Sequence, residues 1–314
     1  MRPFHTALIS TLALTLAAPA VAQSTGFYYD GFVAFDYLDS SGGGGGDAAG
    51  LIDMSFGIAP NSGDSFGGVG FEFGVWAYTV SGGSTEATAY AAATFALGGG
   101  VLHVGAPRSA VHGYNTTPIP TGARAGLVEA GIYTGALPYS LTLAIGADRP
   151  VLGVLYERES GPLRYSASYG QLNDSGTVHV AALAAEREFG NSRVFGTVEH
   201  LWAGSNSATT VVLGGSTTFG GGSSSLGPIE VGGAVSYLET GGTATALSLY
   251  ATASPTERLD LTASLLHLST GGSQTIYGVN AGYDIWNGVV LNAGVAGTST
   301  GSGTIWTVGL SRDF

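Results

Sequence analysis

Apolar and polar side chains alternate at every second residue in segment after segment, and this pattern restricts the fold more than any other feature. Successive side chains of a β-strand point to opposite faces, so each segment predicts a strand with one apolar and one polar face. The apolar faces are clearest in four segments: Phe27, Tyr29, Val33, Phe35 and Tyr37; Val69, Phe71, Phe73 and Val75; Ile229, Val231, Val235 and Tyr237; and Tyr277, Val279, Ala281, Tyr283 and Ile285. Beyond residue 22 no apolar run reaches the length of about 18 residues expected of a transmembrane helix.

Charged residues make up only 10% of the chain, against about 25% in ordinary soluble proteins. A soluble protein needs more charge than this to cover its surface, whereas half of each strand in a membrane barrel faces lipid. Glycine is abundant, at 53 of 314 residues, and with Ser, Thr and Asn it suits a lumen face and turns. Aromatic residues at 10% and a mean hydropathy of +0.27 argue against a disordered chain.

An unpaired strand edge is prohibitively costly in hydrocarbon, so strands that cross a membrane must close into a barrel. Hairpin follows hairpin from Phe27 to Phe314 without a domain break. Counting candidate segments gives about 18 strands, but a chain of this length more often forms about 16. The prediction is an all-β, transmembrane antiparallel barrel of about 16 strands, with about 14 to 18 possible.

The N-terminus has the features of an exported protein. Arg2 is followed by an uncharged, mostly apolar run from Ala7 to Ala18, by Pro19 and by the small-x-small sequence Ala20-Val21-Ala22. This order is typical of a cleaved signal peptide. We predict a signal peptide over residues 1–22 and one barrel domain over residues 23–314. The chain has no cysteine, which excludes both a lipoprotein anchor and disulfides.

The balance of charge is strongly acidic, with a formal net charge of -12 and no lysine. Nucleic-acid binding needs a basic face, so this partner class is excluded. An acidic barrel suggests an electronegative lumen, or loops that face divalent cations such as Ca²⁺. No residue pattern supports a Ca²⁺ site, and we predict no cofactor.

The C-terminal segment alternates from Thr304 and ends on an aromatic residue. It resembles the last strand of outer-membrane proteins, in which the final Phe is read by the barrel-assembly machinery. By this resemblance the assembly signal consists of Trp306, Val308, Leu310 and Phe314. One departure is Arg312, which falls on the lipid-facing parity, where a long side chain near the membrane edge can snorkel.

A second stretch, from Ala89 to Tyr114, resembles the general porins of Gram-negative bacteria, in particular those of α-proteobacteria. It consists of a strand, three glycines at 98–100, a short strand over Val101–Gly105 and then Ala106-Pro107-Arg108-Ser109-Ala110. In that family the equivalent pattern leads into loop 3, which folds into the barrel and narrows the pore. The resemblance places loop 3 at residues 106 to 125, with constriction residues Arg108, His112, Tyr114 and Arg124.

Ser254 to Leu261 is similar to a periplasmic turn of such barrels, and the resemblance also implies a homotrimer. The family usually carries acids on loop 3 opposite arginines on the wall, but here the loop carries Arg108, His112 and Arg124 and no acid. By strand parity the lumen wall carries both signs of charge. The predicted wall residues are Asp30, Asp36, Glu72, Arg164, Arg193 and Glu230.

Patterns of catalysis and metal binding give no specific signal. Gly297-Thr298-Ser299-Thr300-Gly301 matches the esterase nucleophile elbow, but it lies between two alternating segments where the elbow requires a strand-to-helix turn. The histidines beyond residue 22 occur singly, without metal-ligand spacing, and His200 and His267 fall on apolar strand faces. We therefore predict neither an enzyme nor a metal site.

The functional prediction is a water-filled outer-membrane porin that carries small hydrophilic solutes and ions by passive diffusion, with moderate preference for cations. Outer-membrane lipid and lipopolysaccharide are its expected surroundings. Two alternatives remain open: a substrate-specific or gated channel of the same architecture, and a structural or adhesive barrel whose lumen is plugged.

Overall fold

A computed structural model describes residues 26–41, 46–61, 67–81, 83, 85–120, 127–174, 176–220, 226–300 and 303–314. The predicted signal peptide, residues 1–22, lies outside the described residues, and so does Arg124.

Sixteen antiparallel strands form one closed barrel in which each strand pairs with its neighbours along the chain and the last strand pairs with the first. This confirms the predicted architecture and the strand count. The strands are β1 Phe27–Ser40, β2 Asp47–Ile58, β3 Val69–Val80, β4 Thr85–Leu97, β5 Gly100–Ala106, β6 Leu152–Ser160, β7 Leu163–Asn173, β8 Thr177–Phe189, β9 Ser192–Ala203, β10 Asn206–Phe219, β11 Ile229–Glu239, β12 Thr243–Thr256, β13 Leu259–Ser269, β14 Ser273–Trp286, β15 Val289–Thr298 and β16 Thr304–Asp313.

The barrel closes where β1 pairs with β16, and Asp36 lies opposite Gly309 in this seam. A Cβ at position 309 would lie 2.1 Å from Asp36 Oδ1 and 2.5 Å from the carbonyl oxygen of Phe35, so only glycine fits there. The backbone N–H of Phe314 donates to the carbonyl of Gly31 at 2.9 Å and fastens the C-terminus to β1. The terminal strand is therefore the element that completes the ring.

Most strands are joined by short connections. Between β14 and β15 the connection is Asn287-Gly288, with φ of 48° and 77°; two successive positive φ angles are those of a type I′ turn, which favours Asn-Gly. The longest connection runs between β5 and β6 over residues 107–151 and is called the long connection below. The barrel end from which it leaves is called the loop end, and the opposite end the turn end.

The outer face of the barrel is apolar. Large apolar side chains at alternate positions are exposed on it, among them Leu213 and Trp286 at 65%. The predicted alternating segments supply Tyr37, Phe73, Val75, Val231, Val235, Tyr237, Tyr277, Val279, Tyr283 and Ile285. Such a surface is stable only against a nonaqueous surrounding, as the face of a barrel that spans a membrane is.

The long connection contains two helices, α1 Leu127–Thr134 and α2 Tyr139–Ala147. The connection therefore extends beyond the loop predicted over residues 106 to 125, and it contains two helices for which the sequence analysis made no prediction. Strand alternation stops at Ala106, and the helical part has little charge and no acidic residue in the first turn of α2. Within the described residues no helix is long and apolar enough to cross a membrane.

Candidate functional site

The long connection packs against inner-face residues around most of the barrel. Four buried apolar clusters join it to the wall. The residues that the long connection contributes are Ala110, Val111 and Tyr114, packed against β6 to β11; Leu141, packed against β1 to β3; Ala130 and Ile119, packed against β12 to β14; and Tyr139 and Leu143, packed against β8 to β10. Residues of one segment thus contact walls on opposite sides of the barrel.

The first charged contact joins Arg108, on the long connection, to Asp53 of β2, and His112 lies beside this ion pair. Arg108 Nη1 lies 2.7 Å from Asp53 Oδ1, and His112 Nε2 lies 3.4 Å from Asp53 Oδ2. Arg108 Nη1 also contacts His112 Nε2. Because a guanidinium only donates, His112 Nε2 must accept, which requires a neutral ring with its proton on Nδ1. Burial lowers the pKa of His112, and the adjacent Arg108 lowers it further.

This lowered pKa predicts that acid loosens the long connection. When a histidine pKa is lower in the packed arrangement than in the released one, the arrangement is fully favoured above the released value of about 6.5 and weakens as pH falls below it. Channel recordings at pH 7.5 and 5.5 should therefore show more opening or current noise at the lower pH.

His112→Asn is expected to remove most of that pH dependence. His267→Asn, on the outer face, is the matched control and should retain it. Equal pH dependence in all three proteins would contradict the role of His112. The other titratable groups near this site are Asp53, Glu72 and Glu157.

A second wall carboxylate, Glu199 of β9, fastens both ends of the long connection. Its side chain is 1% exposed. Oε1 accepts from Ser109 Oγ and from Ser140 Oγ, both at 2.7 Å, and Oε2 accepts from the backbone N–H of Ser140 at 3.1 Å. Ser140 lies in the first turn of α2, whose N-cap residue Pro138 makes no side-chain capping bond. Glu199 therefore supplies the helix cap from the barrel wall.

Tyr114 is completely buried and is held by two arginines of the wall. Arg164 of β7 places its guanidinium carbon 4.5 Å from the centre of the Tyr114 ring. Arg193 of β9 donates to the carbonyl of Tyr114 at 2.8 Å and to Thr116 Oγ1 at 3.0 Å. Arg193 Nε also lies 3.3 Å from Glu186 Oε2. Both predicted wall arginines thus hold the backbone or ring of a predicted loop residue.

A third group lies on neighbouring strands near the turn end. His103 of β5 is buried, with Nδ1 3.0 Å from Glu72 Oε2 and Nε2 3.5 Å from Glu157 Oε2. One imidazole therefore bridges carboxylates of β3 and β6 across the inner wall. Because two carboxylates share one imidazole, these three side chains together contribute net negative charge to the inner wall.

A cavity of about 890 Å³ opens beside the start of the long connection. Five residues predicted from sequence border it together: Asp30, Glu72, Arg108, His112 and Arg164. The other predicted residues lie elsewhere. Asp36 is buried at the barrel seam, Tyr114 is buried, and Glu230 accepts from the Tyr250 hydroxyl at 2.5 Å.

The sequence analysis did not single out several charged residues of the inner wall that contact the long connection, contact its partners or border the cavity, among them Asp53, Glu157, Glu159, Glu186 and Glu199. Each lies at a strand position whose side chain points into the barrel, so the alternation along the strand is the signal that could have identified them. The site can bind and screen ions and polar solutes by charge. Among the described residues no group of three or more His, Asp and Glu side chains is arranged to hold a metal ion.

No family model matches the sequence, and no curated protein matches it. Among solved structures, a mutant of the Rhodopseudomonas blastica porin aligns with a TM-score of 0.59 and 15% identity over 92% of this chain and 100% of that chain. The fold is that of a porin. A triple mutant of the same porin gives a TM-score of 0.58 at 14% identity, again over 92% and 100%. A structure described as "Asymmetric conductivity of engineered proteins" gives 0.60 at 15%, with the same coverage.

Proposed function

We propose that the protein is an outer-membrane porin through which small hydrophilic solutes and ions diffuse. The observation that carries the proposal is the combination of a closed barrel with an apolar outer face and a charged cavity inside it. An apolar exterior suits lipid, and a polar interior suits a water-filled path. The porin fold supports this proposal. No chemical step is involved, because transport follows the solute gradient.

In this proposal the long connection lies across the lumen and forms the constriction. Its contacts with β2, β7 and β9 and its four apolar clusters on the inner wall support that position. Solutes would pass the cavity bordered by Asp30, Glu72, Arg108, His112 and Arg164. Charges at a narrow point determine which ions enter.

Conductance of the purified protein in planar bilayers tests the proposal. A porin should give discrete, ohmic current steps in KCl and should let small sugars into proteoliposomes. Unheated protein should also migrate differently from boiled protein in SDS gels, because a closed ring of hydrogen bonds has no edge from which to unravel. Folded protein that conducts no ions would refute the porin function.

A second function, a plugged structural barrel, is favoured by one specific observation. At the loop end the inner wall is apolar where the long connection covers it, with Trp76, Leu266 and Val212 each at most 1% exposed. An inner wall of buried apolar side chains excludes water. Folded, heat-modifiable protein without conductance would select this alternative, and conductance would exclude it.

Moderate cation selectivity is the further part of the proposal. Arg108, the described cation of the predicted constriction, is neutralised by Asp53 at 2.7 Å. Glu230 accepts a hydrogen bond from a hydroxyl group, and Glu199 accepts from two hydroxyl groups and one backbone N–H. Among the described residues neither accepts from an arginine. The wall carboxylates therefore outweigh its arginines, which lowers the barrier for cations.

Reversal potentials in a KCl gradient should have the cation-selective sign and should shrink at high salt, where the Debye length falls to about 3 Å. Arg108→Ser should strengthen the preference, since it leaves the Asp53 charge uncompensated beside the cavity. Arg187→Ser removes the same charge from the outer face and is the matched control. An anion-selective sign, or equal shifts in the two variants, would contradict this assignment.

Location and assembly complete the proposal. The sequence predicts export through a signal peptide over residues 1–22 and insertion by the barrel-assembly machinery. It also predicts a homotrimer in the outer membrane, beside lipopolysaccharide. The contacts of Phe314 support its role as the assembly signal. Its ring lies 6.2 Å from that of Tyr29 of β1, and Arg312 lies 4.7 Å above its centre.

Phe314→Asp should leave export intact and strongly reduce insertion, because the change disrupts the end of the strand that closes the barrel. Phe189→Asp is the matched control. Phe189 ends β8, is 50% exposed and lies under Arg187 at 4.8 Å, as Phe314 lies under Arg312. Fractionation and heat-modifiable mobility measure insertion. Equal insertion of the Phe314 variant and the wild type would reduce the terminal Phe to coincidence.

A further inference from the structure

Four polar aromatic rings form a row on the outer face of β7, β8 and β9. His179 and Trp202 stack with centroids 5.2 Å apart and an interplanar angle of 15°, and His200 and Trp202 stack at 5.4 Å and 22°. Tyr169 adjoins both, at 6.2 Å from His179 and 6.3 Å from Trp202. We call Tyr169, His179, Trp202 and His200 the ring row. Its strands expose Leu183 and Val194 on the same face, so the row faces outward.

The ring row lies close to the loop end. Trp202 is the last residue but one of β9, and His179 is the third residue of β8. At a rise of about 3.3 Å per residue, both lie within about 7 Å of the strand ends. The connection beside Trp202, residues 204–205, is too short to cover the row. This is the depth of membrane headgroups, where amphipathic rings are favoured.

The hydrogen bonds of the ring row leave donors unused. Nδ1 of His179 bonds the Tyr169 hydroxyl at 2.9 Å, and Nδ1 of His200 bonds Thr209 Oγ1 at 2.8 Å. Gln171 Nε2 donates to the Tyr169 hydroxyl at 3.1 Å. Within the described residues, Nε2 of both histidines and Nε1 of Trp202 have no hydrogen-bond partner. An aromatic side chain that serves only in a membrane girdle needs one polar edge near the headgroups. The ring row instead offers three stacked rings, each with a ring nitrogen available for a hydrogen bond.

The surroundings indicate which headgroup fits. The fixed cations on the outer faces of the described strands, Arg158, Arg187 and Arg312, all lie near the turn end. At the loop end Arg149 donates to the carbonyl of Asn173, the last residue of β7, and Glu239 lies opposite Thr209. One cation and one carboxylate therefore flank this part of the barrel, and no excess of positive charge favours a bare phosphate. A hydroxyl both donates and accepts, so it can pair with imidazole nitrogens, with the Gln171 amide and with a carboxylate alike.

We propose that the ring row binds the sugar headgroup of a glycolipid in the leaflet at the loop end. The site combines an aromatic platform with several polar groups that converge on it, as sites for small polar ligands do. The proposal rests on the outer-membrane location proposed above, with β12 and β13 joined on the periplasmic side, and it does not rest on conductance. The site provides a fixed contact between the barrel and the sugar-bearing leaflet.

The test is binding of purified lipopolysaccharide to the detergent-solubilised barrel, compared with phosphatidic acid, whose headgroup is a phosphate without alcohol hydroxyls. The double variant His179→Ala, His200→Ala should bind lipopolysaccharide at least about fivefold more weakly, as expected for the loss of two hydrogen bonds. Trp202→Phe keeps a stacking ring and removes its N–H, and should give a smaller loss. Phosphatidic acid binding should stay unchanged.

His267→Ala is the matched control. His267 also faces outward near the loop end, but no ring of the described residues stacks on it, and both its nitrogens are bonded, to Thr275 at 2.8 Å and Ser273 at 3.2 Å. It should bind lipopolysaccharide like the wild type. Unchanged binding by the double variant would overturn the proposal, as would equal losses for both lipids. Dissociation of an oligomer with unchanged lipid binding would assign the row to a contact between copies and overturn it too.

Discussion

Glu199→Ala is expected to release the long connection from the barrel wall and to raise both channel noise and the mean current. The carboxylate satisfies two serine hydroxyls and one N–H of the first turn of α2, all in a buried place. Loss of a charged acceptor that leaves buried donors unsatisfied costs about 2 kcal/mol. That energy corresponds to about 30-fold more of the released arrangement.

Trypsin offers a readout that is independent of current. The bond between Arg108 and Ser109 should be cleaved faster in the Glu199→Ala barrel, because Ser109 loses its carboxylate partner and cleavage follows the released population. Glu199→Gln retains one acceptor oxygen and should show a smaller increase. The control is Glu230→Ala, since Glu230 is an acid of the same wall that bonds Tyr250 instead. Equal cleavage of Glu199→Ala and the wild type would show that the apolar clusters alone hold the connection.

The barrel could be predicted from the sequence because one face of nearly every strand contacts lipid. Tyr277, Val279, Tyr283 and Ile285 of β14 are all exposed, in the alternation that the sequence shows. The same parity placed Asp30, Glu72 and Arg164 on the inner wall, where they border one cavity. A pattern imposed by the surrounding solvent is local in sequence, so it is readable without knowledge of the tertiary structure.

The helices and several wall charges could not be predicted, because their environment is created by the fold. α2 begins after Pro138 without a side-chain cap of its own, and its cap is Glu199, distant in sequence. The inner parity of β9 includes buried Phe195 and Leu201 as well as Glu199, so alternation is lost where the long connection covers the wall. The charges that hold the connection lie in the segments whose pattern is least clear.

The apolar contacts of the long connection suggest how a barrel without it would behave. Leu141 of α2 is 4% exposed and packs against Leu38, Trp76 and Tyr78 of the inner wall. Leu141→Ala should cost about 2–5 kcal/mol locally and loosen α2 alone. The resulting rise in conductance should be smaller than that caused by loss of the whole connection, which gives a graded series.

Replacing residues 107–151 with a short Asn-Gly turn should raise single-channel conductance several-fold. The change is sterically feasible, because β5 and β6 are already antiparallel neighbours with Gly105 opposite Gly153, so a tight turn converts them into a hairpin. It removes one side of all four apolar clusters. It also removes a net single positive charge, because the cations Arg108, Arg124 and Arg149 are lost together with the acids Glu129 and Asp148. The shortened barrel should be less stable, wider and more cation-selective. Heat-modifiable mobility verifies that it folds. Conductance equal to that of the wild type would place the ion path outside the long connection, whereas a silent wild type and a conducting variant would identify the native protein as a plugged barrel.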